Sequence, residues 1–112
     1  MKVYALVKET YAYWDNDYDC TVKIFTDRES AMNYLAIEKE AILDEVYYEI
    51  KGTLEDASLP PTEKSLEQLY DNGNNDYIYD YTNHDDYFRI YIEEWGSETL
   101  YISEQDVMEF KI

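Results

Sequence analysis

Histidine and cysteine are almost missing from this chain, and their scarcity removes whole classes of chemistry. With Cys20 as the one cysteine, no internal disulfide can form. Cys20 and His84 together cannot complete a zinc site, which takes four ligands from Cys, His or carboxylate. No local motif supports a thiol–imidazole dyad between them, so they read as a small apolar filler and a turn residue. Gly52, Gly73 and Gly96 stand alone, and no glycine-rich loop cradles a phosphate. No stretch approaches the roughly 18 apolar residues of a membrane-spanning helix. Met1-Lys2-Val3-Tyr4 enters a strand pattern directly, without the pattern of a secretory signal, so a cytoplasmic location is expected. No cofactor motif is present, and none is expected to bind.

Positive charge is scarcest in proportion. Nine basic residues face 26 acidic ones, for a net charge of −17 across 112 residues. Affinity for nucleic acid comes from Lys and Arg releasing counterions from phosphates, and anionic membranes attract basic segments. Both are excluded as direct partners. Basic proteins and cations remain. Self-repulsion destabilises the compact state, so added salt should stabilise the fold.

What the chain has is aromatic side chains: fourteen Tyr, three Phe and two Trp. A disordered acidic segment would lack them, so one folded domain over 1–112 is expected. Lys2 to Lys8 reads as a strand with Val3, Ala5 and Val7 on one face and Tyr4 and Leu6 on the other, extending as far as Tyr13 at most. Asp15-Asn16-Asp17 carries turn chemistry, and Cys20 to Phe25 returns as a second strand with Val22 and Ile24 expected inward. Thr26-Asp27-Arg28-Glu29 has the form of a capping box. A long helix follows from Asp27 to about Lys51, with a break near Asp44 conceivable and Gly52 as its left-handed stop. After Pro60-Pro61, Thr62 caps a short helix from Glu63 to Tyr70. Strands then fill the C-terminal half. Asp76 to Thr82 should set Tyr77, Tyr79 and Tyr81 on one face, and Tyr87 to Trp95 should set Phe88, Ile90 and Ile92 inward. Gly96-Ser97-Glu98 reads as a tight turn and Thr99 to Ser103 as a strand. The expected fold is α+β: an antiparallel sheet of four to six strands packed on one long helix, plus a short second helix.

Asp15-Asn16-Asp17-Tyr18-Asp19 opens like a calcium loop, but Cys20 stands where the sharp turn needs Gly and Thr26 where the bidentate Glu belongs. No metal site is expected. Paired carboxylates suited to glycoside hydrolysis occur by chance among 26 acids, and a non-enzymatic protein is the expectation.

From Leu66 to Phe110 twelve carboxylates face a single cation, Arg89, with tyrosines interleaved. B-DNA carries one charge per about 3.4 Å of each strand, and a β-strand rises about 3.3 Å per residue. Carboxylates on strands, edges and turns can thus present rows that a phosphate-binding groove meets as phosphates. Tyrosine supplies rigid area and a π-face for Arg. The expected partner-binding residues are Asp71, Asp76, Tyr77, Tyr79, Asp80, Asp85, Asp86, Tyr91, Glu93 and Glu94.

In size, acidity and the cluster Asp71, Asp76, Asp80, Asp85, Asp86, Glu93 and Glu94, the chain resembles small phage and mobile-element proteins that block host defences: anti-CRISPR and DNA-mimic anti-restriction proteins. The resemblance is one of overall character. It implies an inhibitor that associates with a basic nucleic-acid-binding protein or nuclease and occludes its DNA or guide-RNA site, in the host cytoplasm. Two other readings carry different expectations. An acidic structural or regulatory interaction module would spread its carboxylates evenly and bind through apolar surface or a sheet edge. A small cation-binding protein or enzyme would show a concave pocket with carboxyls of raised pKa.

Overall fold

A computed structural model describes residues 1–12, 17–71 and 78–107. Its elements run β1 (Lys2–Ala12), β2 (Asp17–Phe25), α1 (Arg28–Glu49), α2 (Lys51–Asp56), α3 (Glu63–Asp71), β3 (Ile78–Asn83), β4 (Tyr87–Ile92) and β5 (Gly96–Asp106). The five strands form one antiparallel sheet in the order β2-β1-β5-β4-β3. The chain is α+β, as its alternations imply. One long helix and two shorter ones accompany the sheet.

The helices cover one face. Leu6, Phe88, Ile90, Ile92, Leu100 and Ile78 point to that side and pack with Leu35, Ile42, Leu43, Val46 and Ile50 of α1 and its C-cap, Leu54 of α2 and Leu66 of α3. Burying such side chains contributes roughly 1.5–3 kcal/mol each, and this layer is the core. Phe88 is fully buried, with its ring edge-on to Tyr81 at 6.3 Å between centroids.

Several local expectations are corrected. Asp27, not Thr26, caps α1: its carboxylate accepts from the Ser30 amide at 2.7 Å and the Ser30 hydroxyl at 2.8 Å. The long helix breaks at Ile50, where a new turn begins as α2, and Gly52 lies inside α2 rather than ending α1. Thr62 does cap α3, accepting from the Ser65 amide at 3.3 Å. The hairpin turn between β4 and β5 falls at Glu93-Glu94-Trp95, with Glu94 at φ 64° and Gly96 at φ 117°, a value that favours glycine. Gly96, Ser97 and Glu98 therefore belong to β5.

Val22 and Ile24 are exposed, at 54% and 61%. The β1–β2 register pairs them with Val7 and Ala5, on the face away from the helices. The helix-facing positions of β2 are Lys23 and Phe25, which meet Tyr34 of α1. The apolar alternation of β2 is real, but it belongs to the uncovered face.

Tyr79 and Tyr81 also part company. A bulge shifts the β3–β4 register between Ile78, opposite Ile92, and Asp80, opposite Tyr91. An extra residue in one strand reverses which face the following side chains take. Tyr81 therefore turns to the core, while Tyr79 stacks edge-on against Tyr91 on the open side at 5.2 Å. Asp76 and Tyr77 lie outside the described residues, as do Asp15, Asn16 and the segment 108–112.

Candidate protein-binding surface

Two contrasting surfaces result. On the helical side, four concavities adjoin one another; one of about 270 Å³, lined by Tyr47, Tyr48, Lys51, Leu54, Glu55, Leu59 and Pro61, carries a cation and a single acid, and the other three hold most of the acids. The first, about 490 Å³, lies between α3 and β3, lined by Glu63, Glu67, Tyr70, Asp71, Tyr81, Thr82, Asn83 and His84. The second, about 460 Å³, is lined by Ala36, Lys39, Glu40, Leu43, Asp44, Tyr47 and Glu63. The third, about 540 Å³, is lined by Asp44, Glu45, Tyr48, Glu49 and Trp95. Glu63 joins the first to the second, and Asp44 joins the second to the third.

Helix geometry places these acids together. Glu63, Glu67 and Asp71 recur every four residues along α3, as do Glu40 and Asp44, and Glu45 and Glu49, along α1. Residues four apart share a helix face, so like charges there repel. Lys39 is the only cation in the three linings, and its Nζ donates to Asn83 Oδ1 at 2.9 Å. Asn83 in turn donates to Glu63 at 2.9 Å and to the Tyr81 hydroxyl at 3.1 Å. Among the described residues, Glu40, Asp44, Glu45, Glu49, Glu67 and Asp71 take part in no ion pair. The tyrosines between them register the field. Burial pushes the Tyr47 phenol up to about 12, and Glu63 and Asp44 add to the rise. Tyr81 is raised by burial too; the Asn83 hydrogen bond opposes this, while Glu63 and Glu67 reinforce it.

The other side of the sheet has no described element over it. Paired positions form transverse rows there: Tyr87–Tyr101–Val7–Val22, then Arg89–Thr99–Glu9–Cys20, then Tyr91–Ser97–Tyr11–Tyr18. Arg89 binds Asp80 at 2.9 Å and Thr99 at 2.8 Å. The Tyr101 hydroxyl donates to Glu9 at 3.2 Å. Asp80, Arg89 and Glu9 are the charged side chains of these strands on that face, and the first two neutralise each other.

The residues singled out by the acid and tyrosine pattern separate accordingly. Tyr79, Asp80 and Tyr91 are brought together on the open face. Asp71 joins the first groove. Asp85 and Asp86 sit in the β3–β4 turn, where Asp86 pairs with Arg28 at 3.1 Å. Glu93 and Glu94 occupy the turn at the far end of β4, leading into Trp95 of the third groove. Glu40, Asp44, Glu45, Glu49, Glu63 and Glu67 line these grooves and were not among the residues the sequence pattern singled out. Their four-residue spacing in the helical stretches was the available signal. Cys20 and His84 lie at opposite edges of the sheet, so they form no dyad.

Among the described residues, no three metal-ligating side chains gather as a metal site, and no described helix is long and apolar enough to cross a membrane. One carboxyl stands out by burial. Glu98, 7% exposed, accepts from the Thr10 hydroxyl at 2.7 Å beside Trp95 and Glu45, in a cavity of about 150 Å³. Burial raises its pKa against the opposing pull of Thr10 and Lys8. No family model, no curated protein and no solved structure matches the chain.

Proposed function

We propose that this protein is a non-enzymatic inhibitor that binds a basic nucleic-acid-handling protein, such as a nuclease, by presenting carboxylates in place of phosphates. The observation that carries this reading is the continuous acidic track through Glu63 and Asp44, with Lys39 as its one lining cation. Four-residue steps on a helix rise about 6 Å. Two such pairs follow one another on α1, Glu40 with Asp44 and Glu45 with Glu49, with axial steps of about 6, 1.5 and 6 Å, a mean of about 4.5 Å per charge. That is close to the roughly 3.4 Å per charge of one DNA strand. Tyr48 and Trp95 border the track with flat area on which Arg guanidinium groups stack. Asp85, Asp86, Glu93 and Glu94 extend the charge to the two turns of β4.

Such association is fast, steered and sensitive to salt. The test captures basic nucleic-acid-binding proteins on the immobilised chain at about 50 mM salt and measures each complex up to about 500 mM. Duplex DNA and guide-type RNA are then added as competitors. Affinity should fall steeply with salt, nucleic acid should displace the chain, and D44K/E45K/E49K should abolish binding. Affinity indifferent to salt, or a complex that nucleic acid leaves intact, would reject mimicry.

A further inference from the structure

The open face of the sheet takes no part in that reading, and its character is opposite. Val22 and Ile24 are more than half exposed on it, Tyr87 is 37% exposed, and Glu9, Asp80 and Arg89 sum to a single negative charge in a chain of net charge −17. We propose that two copies of the chain pack through this face, sheet against sheet, with their acidic helical layers turned outward.

Charge selects the occupant. A basic partner is drawn to the helical track, because the open face offers it no field. A second copy, strongly negative overall, can approach closely only where its own charge is absent. Face-to-face sheets lie about 10 Å apart, and a helix layer, one helix diameter thick, adds roughly 10 Å on each side. The two acidic layers then stand about 30 Å apart, several times the Debye length of about 8 Å at physiological salt.

Area and shape agree. Five strands spaced about 4.8 Å apart make a face roughly 24 Å wide, and strands of six to eleven residues make it roughly 20–36 Å long. The footprint of each copy is thus on the order of 500–800 Å², near the about 800 Å² per partner of a stable interface; its exposed part is carried chiefly by Tyr18, Val22, Ile24, Tyr79 and Tyr87, while Ala5, Val7 and Thr99 within it are buried. The β2 edge of the face is aliphatic at Val22 and Ile24 and aromatic at Tyr18, and the opposite side is aromatic at Tyr87, Tyr91 and Tyr79. A two-fold axis along the strands lays the β2 edge of one copy over the tyrosines of β4 and β3 of the other, the self-matching arrangement a symmetric dimer requires.

Sedimentation equilibrium over micromolar to millimolar protein, at low and high salt, tests this. The expected result is a species of twice the monomer mass, favoured by salt because screening relieves repulsion between the copies. This is the opposite of the salt response expected for a basic partner, so the two readings fail separately. I24E and I24K should each weaken dimerisation at least tenfold, since either charge is desolvated at the interface. Y87K, at the other side of the face, should do the same, whereas pairing through the β2 edge would leave it without effect. Circular dichroism confirms that each variant is folded. The single thiol, Cys20, lies on this face, and its labelling rate should fall as protein concentration rises. A chain that stays monomeric at millimolar concentration and high salt, or a dimer that survives I24E, I24K and Y87K, overturns the proposal.

Discussion

The covered and open faces of the sheet come from the same five strands, yet they divide the chain's chemistry between them. One buries Phe88, Ile90, Ile92 and Leu100 under helices whose outer surfaces carry the acids. The other presents tyrosines and aliphatics with little charge. Acidity is densest on the helices and in the turns; the described strands also carry Glu9, Asp17, Asp19, Asp80, Glu98, Glu104 and Asp106, of which Glu9 and Asp80 face the open side. The contrast is sharpest within β4, where Tyr87 and Phe88 are adjacent and point to opposite faces. Phe88→Ala should cost about 3–5 kcal/mol, measured by urea unfolding. Tyr87→Ala, under conditions where the chain is monomeric, should change stability by no more than about 0.5 kcal/mol. Equal losses would mean that the open face is a second core, and the division would collapse.

A smaller effect probes how the acidic layer is tied to the sheet. Glu38 of α1 binds Lys8 of β1 at 3.4 Å and Lys23 of β2 at 3.3 Å. Burial alone would raise its pKa, but the hydrogen bond from Lys23 and the charge of Lys8 outweigh it, and the carboxyl is held low. A depressed folded-state pKa contributes stability above the unfolded-state value, and that contribution is lost as pH falls through the folded one. Glu38→Gln should cost about 1 kcal/mol at neutral pH, with the difference from the parent closing in acid. A loss that persisted in acid would assign Glu38 a packing role.

These contrasts show which features were legible before the structure. The period-two alternation at Phe88, Ile90 and Ile92 fixed their common face, because a single parity governs an unbroken strand. That logic failed at Tyr79 and Tyr81, since a bulge leaves no mark in composition. Val22 and Ile24 alternate as cleanly as a core strand does. Which side the helices cover is decided by tertiary packing, and Lys23 beneath Tyr34 is its result. The break at Ile50 was obscured by continuing helix formers and by Gly52, which α2 absorbs. For the surface, the density of acids between Leu66 and Phe110 drew attention to that stretch, whereas most of the groove acids lie on α1 and at Glu63, before it. The groove acids Asp44 and Glu45 of α1 and Glu63 of α3, however, are separated by α2, and only the tertiary fold places them in neighbouring linings.

Glu98 carries the smallest and most specific test, because it is an acid on the wrong side of the division. It lies between β5 and α1, where burial raises its pKa, Thr10 and Lys8 oppose that rise, and Glu45 and Glu38 add to it. A carboxyl with a raised folded-state pKa binds its proton more tightly in the folded chain than in the unfolded one. Its effect on stability improves as pH falls through the folded value and is fully favourable only below the unfolded value. At neutral pH the ionised group is therefore a cost. Glu98→Gln keeps an acceptor for the Thr10 hydroxyl and removes the charge. It should raise the melting temperature at neutral pH, by a stabilisation within about 1 kcal/mol, and the gain should vanish in acid. This response runs opposite in sign to that of Glu38→Gln on the same helix–sheet interface. If Glu98→Gln instead destabilised the chain at neutral pH, the ionised carboxylate would be compensated by Lys8. The covered face would then hold a second working charge pair beside that of Glu38 with Lys8 and Lys23, and the separation of charge between the two faces would be incomplete at its centre.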